Sequence, residues 1–100
     1  MRASQQEHEL EDWACARFAE LNWVCLKFIS PGFPGVPDRL LLTDFGRLVF
    51  IEFKRFGEKP KRRQPMVIKM LRSMGFTVEL IDTRAQVVAL INQLCRRPAS

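Results

Sequence analysis

The chain has 100 residues, 47% of them hydrophobic, three cysteines and a formal charge of +5, which fits one small domain with a modest core and oligomerisation as a common supplement to stability. Cys15, Cys25 and Cys95 form no CxxC or His-rich pattern, which argues against a disulfide framework or zinc site and for reduced, mostly buried thiols in a cytoplasmic protein. No apolar run approaches the roughly 18 residues of a membrane span, and Met-Arg-Ala-Ser followed by acids does not resemble a signal peptide.

Glu7–Leu21 is predicted to be helical. Glu7, Glu11, Ala14, Phe18 and Leu21 recur at steps of four, three, four and three, with Leu10 and Trp13 beside them. Ser4 is a candidate N-cap, with Glu7 three residues later as in a capping box. Trp23–Ile29 follows as a strand. Ser30–Pro37 holds three prolines and two glycines and must be a loop. Arg39–Thr43 and Arg47–Lys54 read as strands joined by the short turn Asp44-Phe45-Gly46, in which Gly46 can take positive φ. A basic loop comes next. Gln64–Met74 reads as a helix on the stripe Val67, Met70, Leu71 and Met74, with Pro65 in its first turn and Gly75 just past its end. Phe76–Ile81 is a short apolar strand. Asp82 or Thr83 can cap a last helix, Arg84–Cys95, whose apolar face of Val87, Val88, Leu90, Ile91 and Leu94 is broad enough to cover the sheet and also serve a subunit contact.

The order is αβββαβα, an α/β fold in which a mixed sheet is flanked by helices. The strand–helix–strand unit Arg47–Ile81 should be a right-handed parallel crossover. Residues 1–100 are expected to form a single domain.

The hairpin carries the chemistry. A three-residue turn makes Thr43 face Arg47, and paired positions then sum to 90. Asp38 lies opposite Glu52, with Cβ atoms roughly 4.5–5.5 Å apart. Alternation puts Glu52 and Lys54 on one face and Val49, Ile51 and Phe53 on the other. Two carboxylates so placed can share a divalent metal. Mg²⁺ or Mn²⁺ is expected, because a hard ion takes oxygen ligands and is commonly held by a couple of carboxylates plus substrate phosphate. Lys54 would hold the attacking water or stabilise the transition state. This is the minimum equipment for cutting a phosphodiester bond.

Charge placement points the same way. Lys54–Arg63 carries six Lys/Arg and one Glu, leaving ten basic and ten acidic residues elsewhere, so all the excess charge sits beside the acid pair. Arg55, Lys59, Lys61, Arg62, Arg63, Lys69 and Arg72 are candidate phosphate contacts. Such contacts position DNA without reading its sequence. His8, the sole histidine, sits one residue off the first helix's stripe and is peripheral.

Pro37-Asp38 and Glu52-Phe53-Lys54 on consecutive strands resemble the PD-(D/E)XK nuclease superfamily. The match is closer to its virus-type replication-repair nuclease branch, VRR-NUC. Gly35-Val36-Pro37-Asp38 resembles that family's Gly-x-Pro-Asp motif, and Ile51-Glu52-Phe53-Lys54 its metal-binding strand. Gln64 stands where the family has a glutamine opening a helix. Glu7 matches the acid of its first helix. Glu11 stands where the family usually has glutamine, and Pro65 follows Gln64 where a proline usually precedes it. The resemblance covers nearly the whole chain. It implies a restriction-endonuclease-like core, catalytic roles for Glu7, Gln64, Asp38, Glu52 and Lys54, and a Phe53 carbonyl ligand to the metal beside Asp38 and Glu52. Glu7 or Glu11 could add a carboxylate there. It also implies a homodimer that cuts branched, Holliday-junction-like DNA. The alternatives are a non-catalytic DNA-binding module and a nuclease subunit that needs a partner.

Overall fold

The computed structural model describes residues 3–55, 57–59 and 61–96. The element order is α1 (Ala3–Glu20), β1 (Val24–Lys27), β2 (Arg39–Leu42), a single 3-10 turn at Asp44–Gly46, β3 (Leu48–Phe53), α2 (Gln64–Ser73), β4 (Thr77–Ile81) and α3 (Arg84–Leu94). This is the expected αβββαβα order. The sheet runs β1-β2-β3-β4, antiparallel except for the parallel β3–β4 pair.

The β2–β3 register is the predicted one. Arg39 pairs with Ile51, Leu40 with Phe50, Leu41 with Val49 and Leu42 with Leu48. The turn closes with the Thr43 N–H donating to the Arg47 carbonyl at 3.0 Å. Gly46 has φ +69° as expected, but Phe45 is also left-handed, at φ +64°. A bulky residue there carries strain, and the Arg47 guanidinium lies 5.7 Å from its ring centroid.

Alternation along β3 splits the core in two. Val49, Ile51 and Phe53 pack beneath α1 and α3 with Leu10, Phe18, Leu41, Ile81 and Leu90. Phe50 points the other way, toward Val67, Ile68, Leu71 and Val78 under α2. The Thr83 hydroxyl and the Gln86 side chain form a reciprocal capping box that starts α3.

Four local expectations are revised. The first helix already includes Ser4 in its described span, Ala3–Glu20, and the Ser4 side chain lies outside the described residues. The first strand ends at Lys27, although the Phe28 N–H still donates to the Asp38 carbonyl at 2.7 Å, and Trp23 is buried in the core ahead of it. Cys15 and Cys25 are half-buried and Cys95 is exposed, all three free. On α3, Val87, Leu90 and Leu94 are buried while Val88 is exposed, so the core takes up most of that face. Part of the apolar surface left open lies on the sheet. Val24, Leu26 and Leu42, on β1 and β2, are between 37% and 49% exposed. Among the described residues no helix is long and apolar enough to cross a membrane.

Gly35 fastens the Ser30–Pro37 loop to the start of α2. Its φ is +98°, and a Cβ there would stand 2.8 Å from Val67 Cγ2 and 3.1 Å from the Arg63 carbonyl oxygen. Gly75 has a similar φ of +94° but open space around it. Gly75→Ala is therefore expected to cost about 1 kcal/mol of stability from the backbone alone. Gly35→Ala should cost roughly 1–3 kcal/mol more from overpacking. Urea unfolding of the two variants measures the difference, and equal losses would remove the close-approach account.

Candidate active site

Extending the β2–β3 register by one pair sets Asp38 across from Glu52. The Asp38 N–H donates to Glu52 Oε1 at 3.1 Å, and Lys54 Nζ lies 3.3 Å from Glu52 Oε2. The two Glu52 oxygens are thus held from either side. The Glu52 and Lys54 side chains are 11% and 5% exposed, whereas Asp38 is 43% exposed. Lys54 is fixed further by its own N–H, which donates to the Ile81 carbonyl at 2.8 Å and continues the parallel pairing beyond β3.

Asp38 and Glu52 form one wall of an open cleft of about 390 Å³, with Lys61, Arg62, Arg63 and Gln64 opposite. Gln64 opens α2 and is 4% exposed, and its Oε1 is buried without a hydrogen-bond partner. An orphaned amide oxygen is costly to bury, and Gln64 lines the same cleft as the two carboxylates. Among the described residues no three His, Cys, Asp or Glu side chains converge as metal ligands. The carboxylates available at this wall are therefore the Asp38–Glu52 pair.

The candidate phosphate contacts divide. Lys59, Lys61, Arg62, Arg63 and Lys69 are exposed. Arg55 pairs with Glu58 at 3.0 Å, and Arg72 donates to the Val78 carbonyl at 2.6 Å, which ties α2 to β4. Lys69 and Arg72 lie outside the cleft lining. His8 is exposed.

No family model matches the chain. A protein named "Putative nuclease p44", from Acyrthosiphon pisum secondary endosymbiont phage 1, is 33% identical over 79 residues, which span 79% of this chain and 85% of that protein. A solved structure described as a VRR_NUC domain matches with a TM-score of 0.80 at 28% identity, covering 87% of this chain and 95% of the other. The chain belongs to the VRR-NUC nuclease family.

Within this VRR-NUC fold the two first-helix acids occupy different settings. Glu7 is half-buried, and among the described residues it has no ion pair. Glu11 is 7% exposed, and its Oε2 receives Arg39 Nε at 2.5 Å, with Lys27 Nζ at 3.9 Å. Lys27 also reaches Asp38 Oδ2 at 3.1 Å, and Arg39 donates a second hydrogen bond to the Cys25 carbonyl. Where the family usually has glutamine, this chain therefore has an acid held by its own cations.

Lys27 and Arg39 were not among the residues singled out from the sequence. A signal was present. Lys27 and Arg39 pair across β1 and β2, each the sole charge in a four-residue strand, and Glu11 sits on the apolar stripe of α1. The buried Glu11 calls for a cation on the facing sheet, which the half-buried Arg39 supplies at close range and the exposed Lys27 at longer range.

Burial of the carboxylate, then the charge of Asp38, push the Glu52 pKa above its ordinary value; Lys54 and the Asp38 N–H pull the other way without offsetting them. The folded-state pKa exceeds the unfolded one, so ionised Glu52 costs stability above that pKa and the cost vanishes as pH falls through it. In metal-free buffer the wild type should therefore gain stability relative to Glu52→Gln as pH is lowered through that window. Urea midpoints for both proteins between roughly pH 4 and 8 measure it. A wild type that instead loses ground toward acid would contradict the assignment.

Proposed function

We propose that this nuclease is a metal-dependent DNA endonuclease with Asp38, Glu52 and Lys54 at its centre. The observation that carries the reading is the cross-strand acid pair, with its buried lysine, facing three cations across one cleft. Hard oxygen donors suit Mg²⁺ or Mn²⁺. Asp38 and Glu52 would hold the ion, the orphaned Gln64 Oε1 fits as a direct or water-bridged partner, and the family resemblance adds the Phe53 carbonyl. When bound, such an ion polarises the scissile phosphate and lowers the pKa of a water.

The chain's own residues supply the rest. Lys54 is held in place by Glu52 and by its backbone bond to Ile81, so its ammonium is positioned before substrate arrives. It orients the attacking water or stabilises the charge that builds on phosphate oxygens as the P–O bond to the leaving group breaks. Lys61, Arg62 and Arg63 hold flanking phosphates. Glu7, with no ion pair among the described residues, is the first-helix acid better placed to assist. Glu11 is occupied by Arg39.

Contacts of this kind track backbone shape, which suits structured or branched DNA better than a base sequence. The chain would meet such DNA in a bacterial or phage-infected cytoplasm. A homodimer would let two sites cut two strands, and the half-open apolar face of β1 and β2 is the surface that supports one. Obligate interfaces resemble a core cut in half, and Val24, Leu26 and Leu42 have that character.

The cleavage test uses branched and linear duplexes with Mg²⁺ or Mn²⁺. Lys54→Ala is expected to lower kcat by about 10²–10³-fold, and Asp38→Asn should abolish metal-dependent cutting with salt-sensitive DNA binding retained. If wild type and the Glu52→Ala, Lys54→Ala double variant behaved alike, the reading would become that of a DNA-binding module.

The dimer is tested separately by native mass measurement at micromolar concentration. The wild type should be dimeric, Leu26→Lys largely monomeric, and Val88→Lys unchanged. Loss of the dimer in Val88→Lys alone would move the interface back to α3.

A further inference from the structure

Each carboxylate of the acid pair has its own lysine. Lys54 Nζ is 3.3 Å from Glu52 and Lys27 Nζ is 3.1 Å from Asp38. The lysines come from strands on either side of β2. Lys27 is the last residue of β1, and Lys54 directly follows β3. They differ in freedom. The Lys54 side chain is 5% exposed and the Lys27 side chain 54%.

Lys27 is not needed to neutralise Glu11. Arg39 does that at 2.5 Å, against 3.9 Å from Lys27. Its shorter contact is with Asp38, whose side chain is itself 43% exposed. Ion pairs with this much solvent contact contribute little, roughly 0–1 kcal/mol. The Lys27–Asp38 pair is therefore easily broken, and a four-carbon stem lets the ammonium swing by several ångströms.

A divalent ion held by Asp38 would repel an ammonium at this distance. A phosphate beside the ion would attract it. Resting on the metal-dependent reading above, we propose that Lys27 is a phosphate-binding residue that exchanges partners: it neutralises Asp38 in the free protein and turns to a DNA phosphate when the metal takes its place. Lys27 thereby couples the two binding events. It weakens metal binding without DNA and strengthens it with DNA, and by reciprocity the metal strengthens its grip on DNA. Lys54, buried and clamped, has no such exchange available.

Mn²⁺ titration by calorimetry, with and without a non-cleavable phosphorothioate duplex, tests this in the wild type, Lys27→Met, Lys27→Arg and Arg17→Met. The last removes the same charge from α1, where Arg17 pairs with Glu20. Without DNA, Lys27→Met should bind Mn²⁺ roughly threefold to tenfold more tightly, and Arg17→Met should match the wild type. With DNA that advantage should vanish or reverse. The salt slope of DNA binding should fall by about one phosphate contact. Lys27→Arg should restore the slope. Tighter Mn²⁺ binding by Lys27→Met with and without DNA, at an unchanged salt slope, would reduce Lys27 to a counter-ion and overturn the proposal. So would Mn²⁺ binding equal to the wild type. A wild type that binds no Mn²⁺ at all would overturn the metal-dependent reading itself, and is distinguishable from either result.

Discussion

The pairing of Asp38 with Glu52 depends on the register of one hairpin, and the register depends on three residues. Asp44-Phe45-Gly46 reverses the chain so that Leu42 meets Leu48. A one-residue slip would turn Glu52 into the core under α1 and push Ile51 or Phe53 into the cleft. The apolar alternation of β3 opposes that slip, because Val49, Ile51 and Phe53 are all nearly inaccessible to solvent. Phe45 accepts a left-handed backbone to keep the turn short. The core therefore does chemical work at a distance: its demand for three apolar side chains on one face fixes two charged ones on the other.

That placement is electrostatically unfavourable in the free protein. Glu52 is buried beside another carboxylate, and its pKa is raised for both reasons. Lys54 compensates in part, and Lys27 and Arg39 extend the alternation of charge as far as Glu11 on α1. The outcome is a chain of charges across α1, β1, β2 and β3 in which the two neighbouring acids, Asp38 and Glu52, are each flanked by a lysine. Functional sites commonly keep such tension, because relieving it is what ligand binding then accomplishes.

The hairpin was legible from the sequence because strand alternation and a three-residue turn leave a single arithmetic. The start of α3 was legible because Thr83 and Gln86 spell a capping box. Phe45 was harder, since nothing in its type favours positive φ. The end of β1 was obscured because Phe28 and Ile29 have ordinary strand propensity, and the turn toward Pro31 decides the matter. Lys27 and Arg39 were missed for a different reason. Their partner Glu11 lies on another element, and only packing of α1 over the sheet brings the three together. The apolar stripe of α3 had two uses open to it, covering the sheet or serving a subunit contact, and the core takes most of it.

Gly35 packs so near Val67 and Arg63 that a single added carbon would crowd both, which brings the loop leading into Asp38 against the first turn of α2. The loop and the start of α2 are thus in close contact at that point. If the two stay together when DNA binds, deformation would fall on the nucleic acid, which would have to bend, unstack or present a discontinuity to bring a phosphate within reach. Selectivity for DNA shape would then follow from the rigidity of a single glycine contact rather than from any side chain that touches a base.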